Sequence, residues 1–228
     1  MTDAISTVPT QAQLRARDGV LLVVNQIQPP SGPVPKGQQP VLKPMELGLF
    51  IALCDNGEFY AFNGHVDLGT GIQTSLAQIV AEELDLRMDQ LRMVLGDTSR
   101  APNQGATIAS ATLQISAIPL RNAAAEARRW LLEAAAQRWG VEVASLRIEA
   151  GCILGPQARQ IPFEALIEGL HVELSISGNA PLKAVEDYRL VGQSSSRIDI
   201  PAKATGECTF VHDMRVPGML HGRMVRPP

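Results

Sequence analysis

The residues of this chain best suited to chemistry are hydroxyls, side-chain amides and glycines grouped at two helix entrances. The first stretch, GHVDLGTGIQTSLAQ over residues 64–78, turns from a strand-like segment into an amphipathic helix through a Gly69-Thr70-Gly71 elbow. The second, GDTSRAPNQGATIASATLQ over residues 96–114, is also polar and glycine-bearing and also leads into a helix. Glycine at 69 and 71 permits positive φ and lets a ligand reach the backbone without meeting a Cβ. The first free amides of the next helix then point at that place, where an anionic group is favoured. One helix terminus stabilises an anion by about 0.3–1 kcal/mol, or about 2 when partly buried, so other donors must contribute. Thr70, Gln73 and Thr74 at the first entrance, and Ser110 and Thr112 at the second, are donors of that kind. The implied chemistry is a paired anion site. The same residues also read as a tight strand-to-helix turn with hydroxyl caps of purely local purpose. The dinucleotide fingerprint is missing, because its third glycine would fall at Thr74.

The elements that position these loops are legible from periodicity. Ile72, Leu76, Ile79, Val80 and Leu84 recur at helical spacing, with Gln73, Gln78, Glu82 and Glu83 opposite, which predicts a helix with a solvated polar face. Leu49–Cys54 and Phe59–Asn63 are strands joined by Asp55-Asn56-Gly57, a hairpin signal, and the second strand delivers the chain to the elbow. Leu91–Leu95 is a further strand and delivers the chain to Gly96-Asp97-Thr98. The second helix is expected from near Ser110 to Trp139, with Leu120, Ala124, Ala127, Leu131 and Ala135 on one face. Pro119 should kink it or mark its start, and Gly140 should end it. Arg128, Arg129 and Arg138 read as a solvated face. Leu146–Gly155 reads as a hairpin, PFEALIEG as a short helix, and the residues up to Lys203 as a linker rich in turn formers. Before all this, Met1–Gln13 is polar and small, VLLVV at 20–24 is a buried strand, and residues 29–44 form a proline-rich linker.

Composition excludes several classes. With 228 residues, 45% hydrophobic and 19% charged, the chain is long enough for one large or two small globular units. A formal charge of −3 and a pI near 5.8, with no basic stripe, argue against nucleic acid. No apolar run is long enough to cross a bilayer, and no export signal is visible, so cytoplasmic residence is the expectation. Cys54, Cys152 and Cys208 are odd in number and isolated, which argues against a disulfide framework and against an iron–sulfur cluster held by this chain. His65, His171, His212 and His221 lack metal-ligand spacing and read as core or surface histidines.

The order GHVDLGTGIQTSLAQIVAEELDL, LRMVLGDTSRAPNQGATIASATLQ, RNAAAEARRWLLEAAAQRWG resembles the molybdopterin-binding large subunit of the xanthine dehydrogenase and aldehyde oxidase family. It is most similar to the branch with isoquinoline 1-oxidoreductase and nicotinate dehydrogenase, over residues 45–228. The resemblance implies an α+β fold: a strand-loop-helix cofactor-binding repeat followed by the start of an α/β hammerhead domain. Residues 1–45 would be an N-terminal strand and linker, 46–155 part of the cofactor-binding domain, 156–197 a linker, and 198–228 an incomplete hammerhead of two strands around a turn. By position, Gly69, Thr70 and Gly71 match the family's glycine elbow, and Ser110, Ala111 and Thr112 its second binding loop. Thr70 stands where many relatives have glutamine, and Ala111 and Thr112 replace a more polar Ser-Gln-Ser pattern. The implied cofactor is molybdopterin, in mononucleotide or dinucleotide form, with iron–sulfur clusters only on a partner.

The family's Gly-rich loop near the metal and its glutamate general base have no match here, so no catalytic residue and no metal ligand is assigned. Glu82, Glu83 and Asp67 do not fill that role. The resemblance therefore implies an amino-terminal piece of a molybdenum hydroxylase large chain, from a split gene or a truncation, inactive alone toward an aldehyde or N-heteroaromatic substrate. Its expected partners are the rest of the large subunit, a [2Fe–2S] subunit and, often in this branch, a cytochrome c subunit. A non-catalytic remnant or assembly protein, and a stand-alone phosphate-binding module, are the competing readings.

Overall fold

The computed structural model describes residues 8–29, 36, 37, 39 and 43–227. Most of the proline-rich stretch and the first seven residues lie outside the described residues. Residues 9–197 form one compact unit, and Ile198 onward belongs to a second unit.

The architecture of the first unit is mixed α/β. Among the described residues its main sheet has five strands in the order β4-β3-β2-β1-β8. They are β1 (Val20–Ile27), β2 (Glu46–Cys54), β3 (Phe59–Asn63), β4 (Arg92–Leu95) and β8 (His171–Ser175). β1, β2 and β3 pair antiparallel in succession, as the Asp55-Asn56-Gly57 turn requires. β3 pairs parallel with β4, because helix α2 (Ile72–Glu83) crosses between them, and β1 pairs parallel with β8. Before β1, helix α1 (Gln11–Arg15) is started by Thr10, whose side chain accepts from the Gln13 amide.

One sheet face packs on two helices. Leu21 and Val23 of β1, Ile51 and Leu53 of β2, and Phe59 and Ala61 of β3 share a core with Leu76 and Val80 of α2 and with Leu84, which caps it. The second helix, α3 (Ala117–Trp139), adds Leu120, Ala124, Ala127, Leu131 and Ala135 to the same core. These are the apolar positions that helical spacing selects. The alanines of α3 let it lie close to β1, β2, β3 and α2 at once. Gly140 ends α3 at φ 65, as a left-handed cap without a Cβ penalty. A small antiparallel sheet of β5 (Arg147–Glu149), β6 (Cys152–Leu154) and β7 (Gln160–Pro162) follows, then helix α4 (Glu164–Ile167).

Four readings are corrected. The solvated face assigned to Glu82 and Glu83 is buried, with 3% and 1% exposure, because residues 183–193 lie over it. Arg128 and Arg129 are likewise engaged: Arg128 donates to the Glu83 carbonyl and pairs with Asp85, and Arg129 pairs with the buried Glu126. Residues 198–227 form a short helix, α5 (Ile200–Ala204), and a single helical turn at Val211–Asp213, with no strand among the described residues. Turn bonds such as Cys208 to Ala202 and Met219 to Val216 satisfy the backbone there in place of a ladder. The stretch read as a linker after residue 156 also holds β7 and β8, the latter an edge strand of the main sheet.

Candidate functional site

Parallel pairing puts the carboxyl ends of β3 and β4 at one edge of the sheet, and both predicted loops leave from there. Loops at that edge are where α/β sheets offer space for ligands. A cleft of about 490 Å3 opens at the same edge, lined by Gly48, Gly64, Gly96, Asp97, Thr98 and Asn103 among others. The glycines are steric requirements. A Cβ on Gly64 would stand 2.1 Å from the Pro102 carbonyl oxygen, and one on Gly96 2.3 Å from Val66 Cγ1. The 64–66 and 96–107 segments can therefore lie against one another only because side chains are missing.

Beneath the loops sits a buried polar network centred on His65, which is 2% exposed. Its Nδ1 lies 2.7 Å from Thr112 Oγ1, and its Nε2 lies 3.2 Å from Ser116 Oγ. The Asn63 side chain donates to the Ser116 carbonyl and accepts from the His65 amide. Gln104 accepts from Gly64 N and donates to the same Ser116 carbonyl. The Val66 amide donates to Thr107 Oγ1, so each loop carries hydrogen bonds of the other. The sequence leaves His65 as either a core or a surface histidine; its bonds to Thr112 and Ser116, 47 and 51 positions on, leave no local signal.

The six candidate residues differ in exposure. Gly69, Thr70 and Ser110 are exposed, Ala111 is half-buried, and Gly71 and Thr112 are buried. The Thr112 hydroxyl is paired with His65 Nδ1 rather than facing the surface. Ala109 and Ser110 both adopt left-handed backbone, at φ 51 and 57. Such a conformation costs about 1–2 kcal/mol per non-glycine residue. The segment goes straight into a π-helical turn, Thr112–Ser116, which leads into α3 just before Pro119. The chain thus holds strained backbone where it presents Ser110.

The first elbow differs from the simple anion site expected of it. Gly69 and Gly71 adopt φ 94 and 79, as the elbow requires. But the amides of Gly69 and Gly71 both donate to Asp67 Oδ1, and the Gln73 amide donates to Asp67 Oδ2. A carboxylate from the chain itself already satisfies these donors at the start of α2. Gln73 also turns inward, giving its side-chain amide to the Met93 carbonyl. What stays available is the outer rim. A Cβ on Gly69 would meet nothing within 4 Å, and the exposed hydroxyls of Thr70 and Ser110 make no hydrogen bond among the described residues. The sequence reading missed Arg197, which donates from Nη1 to the Gly69 carbonyl at 2.9 Å and lays its side chain 3.4 Å from the Cβ position of Gly71.

Residues 19–211 match the family model of the molybdopterin cofactor-binding domain. The chain belongs to that family. It is 66% identical over 221 residues to a nicotinate dehydrogenase chain of Pseudomonas putida, covering 97% of this chain and 19% of that protein. It is 30% identical over 203 residues to the beta chain of isoquinoline 1-oxidoreductase from Brevundimonas diminuta, covering 72% of this chain and 26% of that one. The chain therefore spans about a fifth to a quarter of the length of these relatives. Among solved structures it resembles CO dehydrogenase from Oligotropha carboxidovorans, with a TM-score of 0.46 and 20% identity over 67% of this chain and 20% of that one. Quinoline 2-oxidoreductase from Pseudomonas putida 86 gives a TM-score of 0.45 at 20% identity, over 73% and 21% of the two chains.

A molybdopterin cofactor carries an anionic tail and a hydrogen-bonding pterin, and the rim fits such a group. It combines exposed hydroxyls with an open glycine backbone, and Arg197 is engaged with the Gly69 carbonyl beside them. The α2 amides held by Asp67 are not part of that fit.

Proposed function

We propose that this chain forms one wall of the cofactor site in a molybdenum hydroxylase that oxidises an N-heteroaromatic substrate of the nicotinate type, with water as the oxygen source. The observation that carries this reading is the 66% identity to the Pseudomonas putida nicotinate dehydrogenase chain across nearly the whole length of this one. It is joined by a loop pair whose exposed donors suit an anionic tail.

Gly69, Thr70 and Gly71 form the first contact loop of this site, and Ser110, Ala111 and Thr112 the second. Thr70 and Ser110 donate hydroxyls to the cofactor, Gly69 lets it approach the backbone, and Thr112 holds the second loop through His65. When bound, the cofactor supplies molybdenum redox chemistry. The residues of this chain bind and orient it without carrying out a proton transfer. Glu82 and Glu83, the acids of α2, are buried in hydrogen bonds to other segments, so the general base belongs to another part of the enzyme. Electrons leave through a partner subunit with [2Fe–2S] clusters. On this reading the 228-residue chain binds cofactor and is inactive alone.

The test is molybdenum and pterin content of the chain, co-expressed with the remaining portions of the enzyme, in wild type and in Thr70→Val with Ser110→Ala. The expected result is cofactor in the wild-type assembly and most of it lost from the double variant, with the fold intact. Full cofactor content in the double variant would remove these hydroxyls from the site. No cofactor in the wild-type assembly would remove the function.

A further inference from the structure

Helix α2 is gripped at both ends by one segment that forms neither strand nor long helix. At the carboxyl end of α2, Glu82 Oε2 accepts from the amides of Arg189, Leu190 and Val191 at 2.9, 2.6 and 2.8 Å. Its Oε1 accepts from Lys183 Nζ at 2.7 Å, and Glu83 Oε1 accepts from the Lys183 amide at the same distance. One turn earlier, the Gln78 side chain donates to the carbonyls of Leu190 and Gln193. At the amino end, Arg197 donates to Gly69 O and packs against Gly71. Residues 183–197 therefore run antiparallel along the whole of α2, about 18 Å at 1.5 Å per residue, and end on the glycine elbow.

The segment is also fixed upstream. Glu126 of α3 accepts from the Ser177 amide at 2.8 Å, and Arg121 donates to the Lys183 carbonyl while its guanidinium stacks 5.5 Å over the Tyr188 ring. Burying charges in this way is costly unless each is paired and hydrogen-bonded. Glu82 and Glu126 meet that condition mainly through residues 177–191, so the placement of this segment is what their burial secures. The glycine elbow is held from inside by Asp67, which takes the amides of Gly69, Gly71 and Gln73. Its outward carbonyl at Gly69 has no partner within the loop, and glycine backbone is otherwise free to visit many conformations.

We infer that residues 183–197 act as a strap that sets the Gly69-Thr70-Gly71 elbow in its ligand-accepting shape, with Arg197 as the positioning residue through which it acts. This rests on the reading of the elbow as part of a cofactor site. The strap does not contribute a reacting group. Arg197 fixes the Gly69 carbonyl and shields Gly71, with Thr70 between them exposed. Gln78 and Glu82 transmit the register of the strap along the helix.

Hydrogen–deuterium exchange on the full chain tests this, using Arg197→Met, Arg197→Lys, Gln78→Ala and Glu82→Ala. Arg197→Met is expected to raise exchange across residues 69–73 by about tenfold, the loss expected from a hydrogen bond to a charged group. Exchange in β1–β3 and the melting temperature should stay at wild-type values, and Arg197→Lys should restore part of the protection. Gln78→Ala and Glu82→Ala should raise exchange at 189–193 and at 69–73 together. Unchanged exchange at the elbow when the strap loosens overturns the inference, as does a uniform rise over the whole unit in Arg197→Met, which marks Arg197 as merely structural; in Glu82→Ala, whose global stability falls, the elbow is read against the rise in β1–β3. In the assembled enzyme, Arg197→Met should retain several-fold less molybdenum and pterin through gel filtration; full retention with a loosened elbow overturns it too. Absence of cofactor from the wild-type assembly counts against the proposed function alone, and the exchange result then decides the strap.

Discussion

Glu82→Ala offers the sharpest test of how residues 177–197 are held. The carboxylate is 3% exposed and serves as acceptor for three backbone amides and for Lys183 Nζ. Hydrogen bonds to charged groups contribute about 1.5–3 kcal/mol each, but these do not add up to the whole effect. The Leu190 and Val191 region is only half-buried, so its amides regain water once the strap lifts. Lys183 also keeps Asp85 Oδ1 at 2.5 Å. Removing one partner of a buried ion pair costs about 3–5 kcal/mol, and the retained Asp85 contact puts the expectation at about 3. Glu82→Gln keeps an oxygen for the amides and loses the charge, for an expected loss of about 1.5 kcal/mol. The assay is urea unfolding followed by far-UV circular dichroism at neutral pH, comparing midpoints at equal slope. A loss below about 1 kcal/mol for the alanine variant would refute the reasoning, since it would match an ordinary surface substitution.

Gly64→Ala should destabilise by about 3 kcal/mol, because its Cβ meets backbone at Pro102 and overpacking that backbone must resolve is costly; thermal unfolding indistinguishable from wild type would contradict the close approach. Acid titration of stability should show a loss beginning as pH falls below the ordinary carboxyl value of 4.5. Burial alone would raise Glu82 and Glu126, but hydrogen bonds from Lys183 and the 189–191 amides, and from Ser177 and Arg129, outweigh it and hold both below that value. The unfolded chain then binds more protons than the folded one, so stability is complete at neutral pH and falls with acid; a flat profile through this range would show the carboxylates unperturbed. Cys54, fully buried and with its thiol pushed up to about 11 chiefly by burial, should resist alkylation in the folded chain and react on unfolding. Mass spectrometry showing prompt labelling of native Cys54 would place that strand outside the core. Phe210, Val211, Leu220, Met224 and Val225 are all exposed, so the chain by itself should associate at high concentration; a monomer by light scattering would contradict this.

Short-range physics determined a large share of this protein from sequence alone. The β2–β3 hairpin follows from alternating apolar residues around Asp55-Asn56-Gly57, α2 and α3 from helical spacing, the start of α2 from Gly71 and the end of α3 from Gly140. Each of these signals lies within a few residues of what it specifies. The glycine elbow and its neighbouring hydroxyls are legible for the same reason, and they carry the family resemblance that the match over residues 19–211 bears out.

Tertiary structure decided what those signals could not reach. The sequence does not show that Asp67 would take the α2 amides, because a carboxylate near a helix start caps or solvates according to how the loop folds back. Polar positions such as Glu82, Glu83 and Gln78 look solvent-facing on a helical wheel. They are engaged because a segment about a hundred residues later lies across them. β8 was hidden in turn-forming sequence because an edge strand is defined by the strand it pairs with, here β1. Long-range partners of this kind leave no periodicity behind, so the strap, Arg197 and the His65 network emerge only when the chain is folded.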